Sequence, residues 1–170
     1  MNCEFTETKS GLAWWTHYDL TYKFAPVKHG VSPHPRYKEL TRQALEAIED
    51  DTPFRFREAV PTEHVNIRFY QQHYPDKSFL GQANGPSSLG SFVDLNWARL
   101  RKRTLRDWQI TTTVTHEMGH VLGLGHSAAL VSQMRPNINF WSWVFCGDGF
   151  CQSDLDELQA LYVRNEMEWK

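Results

Sequence analysis

"HEMGHVLGLGH", His116 to His126, decides how the rest of the chain is read. Side chains four apart on a helix leave one face a turn apart, so His116 and His120 aim two imidazoles at a common point. Imidazoles so placed share a metal ion at about 2.0–2.1 Å from each ring nitrogen. Glu117 follows the first histidine directly, where its carboxylate reaches a metal-bound water rather than the metal and acts as general base. Gly123 then tolerates the positive φ that a sharp exit from the helix requires, which lets His126 swing back toward the other two. Three neutral imidazoles leave one position of a tetrahedral zinc open, the pattern of a catalytic rather than a closed structural site. A His-x-x-x-His pair by itself is common in helices that bind nothing. Two histidines, a glutamate, a glycine and a third histidine at set offsets are not.

The remainder of the chain bounds where such a site can sit. Its 170 residues, 41% hydrophobic and 22% charged, are enough for one domain with its own core. A net charge of −2 gives no bulk electrostatic reason to expect nucleic acid or an anionic membrane as partner. No apolar run is long enough to cross a bilayer. The first residues, "MNCEFTETKS", lack the basic and apolar regions of a secretory signal, so the expectation is a cytoplasmic protein or a mature chain whose signal has been removed. Cys146 and Cys151 bracket "GDGF", a turn short enough to bring their Cβ atoms within disulfide range, which favours an oxidising compartment; two reduced thiols in a loop are the alternative. Cys3 is left over as an unpaired thiol.

The element pattern is that of an α/β chain without repeats or linkers. "HYDLTYKFAP" alternates Tyr18, Leu20, Tyr22 and Phe24, a strand signal. "PRYKELTRQALEAIEDD" sets Leu40, Ala44, Leu45, Ala47 and Ile48 at helical spacing. "HVNIRFYQQ" reads as a second strand and "SFVDLNW" as a weaker one, after the glycine-rich loop "LGQANGPSSLG". A second helix is expected from about Asp107 to Leu122, then an irregular stretch from Ser127 to Gln152. A third helix, "SDLDELQALYVRN", follows, capped by Ser153 or Asp154 and with Leu155, Leu158, Leu161 and Tyr162 as its apolar stripe.

At His116 to His126 the chain resembles the metzincin metallopeptidases, whose extended zinc motif it matches at every specified position. Metzincins also carry a methionine-containing tight turn beneath the metal. "SQMRP" puts Met134 eight residues after the last histidine, which together with Ser127 looks like the matrixins, the matrix metalloproteinase family. Pro136 stands where some relatives have a zinc-binding tyrosine. "WWTHYDLTYKF", "LTRQALEAIEDDTPFRFRE" and "DLDELQALYV" are similar to the first matrixin strand, the first helix with the strand after it, and the closing helix. The resemblance implies an α/β (α+β) fold: a metzincin-like twisted mixed sheet with three main helices in a single catalytic domain, 1–170. Its active-site cleft would lie between an N-terminal subdomain of about 11–126 and a smaller C-terminal one of about 127–170.

The same resemblance implies a secreted zinc endopeptidase of the extracellular matrix type, with His116, His120 and His126 as ligands of one catalytic zinc, Glu117 as general base and Met134 in the turn below. Two departures stand out. Matrixins hold a structural zinc in the loop corresponding to 73–96. Here His73 and Asp76 remain in altered spacing while Gln82 and residues near Phe92 fill the later histidine positions, so a second zinc is not expected and Asp76 and Asp94 are left as candidate calcium ligands. Ser153 replaces the first of two adjacent aspartates, which argues against the family's ion pair with a freed N-terminus. Pro136, Phe140, Trp141 and Trp143 correspond to the matrixin loop around the pocket for the side chain after the scissile bond; packing on the third helix is the competing account.

The expected partner is a protein or peptide held extended along a sheet edge supplied by "SFVDLNW", with no nucleic acid, no membrane span and a monomeric chain. The other histidines, His17, His29, His34, His64 and His73, have no ligand spacing, and "RLRKR" at 99–103 reads as a solvated basic face. Two rival readings remain open. One is a catalytically silent, zinc-containing binding module, which gives Glu117 no task. The other is a self-inhibited form in which Cys3 reaches back to the metal.

Overall fold

Alternation along the first long strand puts Leu20 and Tyr22 into the core and sends Asp19 and Lys23 outward, and the elements after it are arranged around that inner face. The computed structural model describes residues 4–5, 14–26, 33–87, 89–100, 106–137, 140–165 and 167–169. Cys3, His29 and 101–103 of the basic cluster lie outside them. In chain order the strands are β1 (Glu4–Phe5), β2 (Asp19–Phe24), β3 (Arg55–Glu58), β4 (Ile67–Gln72), β5 (Gly81–Ala83) and β6 (Ser91–Asn96). The helices are α1 (Pro35–Asp51), α2 (Trp97–Leu100), α3 (Asp107–Val121), α4 (Phe140–Cys146) and α5 (Gln152–Arg164). One mixed sheet runs in the order β1-β5-β6-β4-β2-β3. Only the β5–β6 pair is antiparallel. The mixed sheet with three long helices is the expected α/β fold.

Three local readings are corrected. "SFVDLNW" is not an edge: β6 is paired on both sides, to β4 and β5, and all of its residues but Phe92 are buried. The strand outside it comes from the glycine-rich stretch, whose first residues form β5 as the antiparallel return of β6. The span 127–152 is not wholly irregular either, because "FWSWVFC" forms α4; four aromatic residues in seven conceal its helical period. Finally, α5 begins at Gln152 with Cys151 as N-cap, and Asp154 acts from inside the first turn, accepting from the Cys151 backbone N–H at 3.2 Å.

Packing explains why α3 can carry polar side chains in the interior. Each residue from Ile110 to Val121 is buried, so the helix has no solvent face. It lies against α1 and against β5 and β6. Three of its threonines find acceptors: Thr113 donates to the Gln109 carbonyl at 2.6 Å, and Thr111 and Thr115 donate to Asp148.

The C-terminal end of α3 is held from two sides. Trp15 donates its indole N–H to the Val121 carbonyl at 2.9 Å, and Tyr162 of α5 donates its hydroxyl to the Leu122 carbonyl at 3.0 Å. The same hydroxyl accepts the Trp15 backbone N–H at 3.2 Å. One phenol thus ties the approach to β2, the end of α3 and the closing helix together. Tyr162→Phe keeps the ring and strands both partners, so denaturant titration should show a loss of about 1–3 kcal/mol. An unchanged midpoint would mean this junction contributes nothing to stability.

Candidate metal centre

Helix α3 delivers His116 and His120 one turn apart with no exposure at either ring. The helix ends immediately after. Gly123 has φ of 104°, a value other residues resist, and the chain reverses there with the Leu124 N–H bonded to the Gly119 carbonyl at 2.8 Å. His126 follows on the exposed side and closes a group whose ligand atoms all lie within 4.8 Å of one another. His116 and His120 bring their Nε2 atoms to 3.2 Å.

The orientation of the two buried rings comes from backbone carbonyls. His116 Nδ1 lies 2.7 Å from the Gln133 carbonyl and His120 Nδ1 lies 2.9 Å from the Leu124 carbonyl. A carbonyl only accepts, so each Nδ1 carries the proton and each Nε2 keeps its lone pair. Burial pushes the His116 imidazole down to about 4 and His120 down to about 3, with neighbouring imidazoles adding to the effect; His126 is lowered by burial as well. Neutral rings with inward lone pairs are the donor set that zinc takes, and this geometry fits it.

Glu117 is fully buried beside them and reaches the sheet at β5. A Cβ at Gly81 would come 2.7 Å from Glu117 Oε1, so the strand leaves this carboxylate its room. Met134 is buried beneath the helix, and its carbonyl accepts the Ser127 N–H at 2.8 Å, which joins the turn to the residue after His126. Gly119 permits the close approach: a side chain there would run into the Met134 sulfur and then Phe150.

Sequence reasoning missed what holds that turn. Asp154 is fully buried and accepts from the Ser132 hydroxyl at 2.5 Å and the Gln133 N–H at 2.7 Å, while the Met134 N–H donates to Ser132 Oγ at 2.9 Å. Burial pushes its carboxyl up, and those donors pull it back. A signal was present: Asp154 stands on the same helix row as Leu158 and Tyr162, both wholly buried, where an aspartate needs partners. Gln133, whose carbonyl orients His116, gave none, because the role belongs to its backbone.

The aromatic segment divides. Pro136 is exposed, and so is Trp141, which stacks on Phe145 with centroids 6.2 Å apart. Trp143 is half-buried and stacks on Trp108 of α3 at 5.5 Å. Phe140 opens α4, and its side chain lies outside the described residues. Cys146 and Cys151 are joined by a disulfide between α4 and α5.

The loop compared with the structural-zinc loop is built differently. His73 and Asp76 are exposed. Asp94 is buried and accepts from Tyr74 Oη at 2.7 Å, Gln72 Nε2 at 3.0 Å and Gln82 Nε2 at 3.4 Å. All three bonds end on Oδ2. Among the described residues, His116, His120 and His126 are the only group of three or more His, Cys, Asp or Glu side chains that could share an ion.

Gly119→Ala sets two effects against each other. Alanine in a helix interior gains about 1 kcal/mol over glycine, while overpacking against Met134 costs about 1–3 kcal/mol. The clash should win, and thermal unfolding should show a less stable protein; a higher melting temperature would refute the tight contact.

Comparison with known proteins agrees with this geometry. The matrixin family model matches residues 13–163. The chain is 26% identical to human (Homo sapiens) neutrophil collagenase over 157 residues, covering 87% of this chain and 33% of that protein. It is 36% identical to interstitial collagenase of Oryctolagus cuniculus over 158 residues, covering 87% and 32%, and 25% identical to matrix metalloproteinase-23 of Bos taurus over 170 residues, covering 87% and 42%. It therefore spans less than half the length of each of these relatives. With the family model matched over nearly the whole chain, the protein belongs to the matrixins, a family of zinc metalloendopeptidases.

Proposed function

We propose that this chain hydrolyses internal peptide bonds in proteins, using one zinc ion held by His116, His120 and His126 in a cleft between about 11–126 and 127–170. The observation that carries this reading is the pair of buried imidazoles with carbonyl-fixed Nδ1 atoms and converging Nε2 atoms, next to a buried carboxylate. The three imidazoles would hold a zinc that, when bound, would supply polarisation of the scissile carbonyl and a lowered pKa for the attacking water. Glu117 would accept the proton of the attacking water on its carboxylate and deliver it to the leaving amine as the peptide C–N bond breaks. The Gln133 carbonyl would keep His116 in place, with Met134 packed under Gly119 of the same helix. Pro136 and the aromatic residues of α4 border the region after the scissile bond. The disulfide favours an oxidising, extracellular setting.

Glu117 separates an enzyme from a silent binding module. Glu117→Ala removes the proton acceptor but no ligand, so zinc content should stay near one per chain while hydrolysis of an unfolded protein falls by roughly 10²- to 10⁴-fold. His120→Ala should lose most of the zinc. Near-normal turnover in the first variant would remove the general base; no turnover by the wild type on any unfolded protein would favour the binding module.

A blocked substrate edge, distinct from a Cys3–metal contact, has an observation in its favour. Extended substrates add as a strand to a free sheet edge, and the outer edge of β5 carries β1, in parallel, with Glu4 opposite Gln82 and Phe5 opposite Ala83. The backbone of residues 4–5 stands where a substrate strand would pair. Removing residues 1–10 should raise kcat/KM on a peptide substrate. An unchanged or lower value would place the substrate elsewhere.

A further inference from the structure

We propose that the disulfide ring of residues 146–151 is a positioning element of the metal centre, acting on His116 from both sides. The inference rests on the reading of the triad as a zinc site. The ring joins the end of α4 to the N-cap of α5 through Cys146 and Cys151. Its interior, "GDGF", contains two glycines, and Gly147 has φ of 63°. Without the cross-link so short and permissive a loop samples many conformations.

The contacts of the ring converge on one ligand. The Asp148 carbonyl accepts from Thr115 Oγ1 at 2.5 Å, and Thr115 directly precedes His116 on α3. The Gly147 carbonyl accepts from Gln133 Nε2 at 3.1 Å, and the Gln133 backbone carbonyl is the group that holds His116 Nδ1. The Asp148 carboxylate anchors the ring itself, accepting from Thr111 Oγ1 at 2.6 Å and from Gln43 Nε2 of α1 at 2.9 Å. The Cys151 N–H donates to Asp154, the carboxylate that also takes the Gln133 N–H. Phe150 is buried against the Gly119–Met134 contact. The residue before His116 and the residue that orients its ring are both tied to a segment whose ends the disulfide closes. His120 Nδ1 is held by the Leu124 carbonyl, four residues on.

Partners that orient a ligating histidine are worth roughly 10- to 100-fold in metal affinity. The double variant Cys146→Ser/Cys151→Ser, loaded with zinc, should release it to a competing chelator on the order of 10-fold faster than the wild type. Its cobalt(II)-substituted form should show an altered visible spectrum, and kcat should fall with little change in KM. A lower melting temperature with wild-type zinc release and an unchanged cobalt spectrum would overturn the proposal, since the disulfide would then be a cross-link without effect on the site. If the double variant does not fold, Thr115→Val keeps the disulfide and the side-chain volume but drops the bond to Asp148. Faster zinc release there supports the proposal, and the wild-type rate refutes it. A wild type that takes up no zinc would instead sink the metal-site reading, and this inference with it.

Discussion

Two imidazoles at zero exposure inside an apolar core are the constraint that the surrounding structure must meet. A buried polar ring without partners costs several kcal/mol, and a buried charged one costs more. Burial holds both rings neutral, and a carbonyl takes the one proton each retains. That solution dictates what surrounds them. One carbonyl must come from a turn below the helix and the other from the chain just past its end, so the helix must stop where it does.

The turn beneath the helix is held by side chains distant in sequence. Asp154 gathers the Ser132 hydroxyl and the Gln133 and Cys151 N–H groups, so one carboxylate on α5 positions the segment that presents the Gln133 carbonyl. Asp148 does comparable work from the disulfide-closed loop, reaching α1 and α3 at once. A buried carboxylate accepting several hydrogen bonds is a stiff junction, because loosening any donor leaves charge or lone pairs unsatisfied. The region around the triad is therefore held by polar contacts set into an apolar core, with Met134 filling the space that Gly119 leaves.

The sheet contributes an edge. β5 is short, opens the glycine-rich stretch, and is reached by the Glu117 carboxylate on one face. Its outer side carries β1 in this chain. Helix α3 and strand β5 thus meet at Gly81, a residue that alone among the strand's three has no side chain. Glycine in a strand often marks a place where another group comes close, and the approaching group here is Glu117.

Spacing alone made much of this legible. The i, i+4 histidines, the glycine at the helix exit and the methionine eight residues on predict a helix, a turn and a return, and all three are present because they follow from local backbone geometry. The long helices α1 and α3 and the strands β2 and β4 were equally readable, since their apolar periods are strong. The order of the sheet was not readable. Whether β6 is an edge depends on which strands pair beside it, and pairing partners come from residues far apart in the chain. Nor could the sequence show that Asp154 holds the segment whose Gln133 carbonyl meets His116, or that Asp148 takes the Thr115 hydroxyl, because hydrogen bonds between α3, the turn and α5 exist only once those elements are packed. Residue type and interval determined the candidate donors; tertiary packing decided which atoms orient them, since burial and backbone carbonyls carry no mark in the sequence.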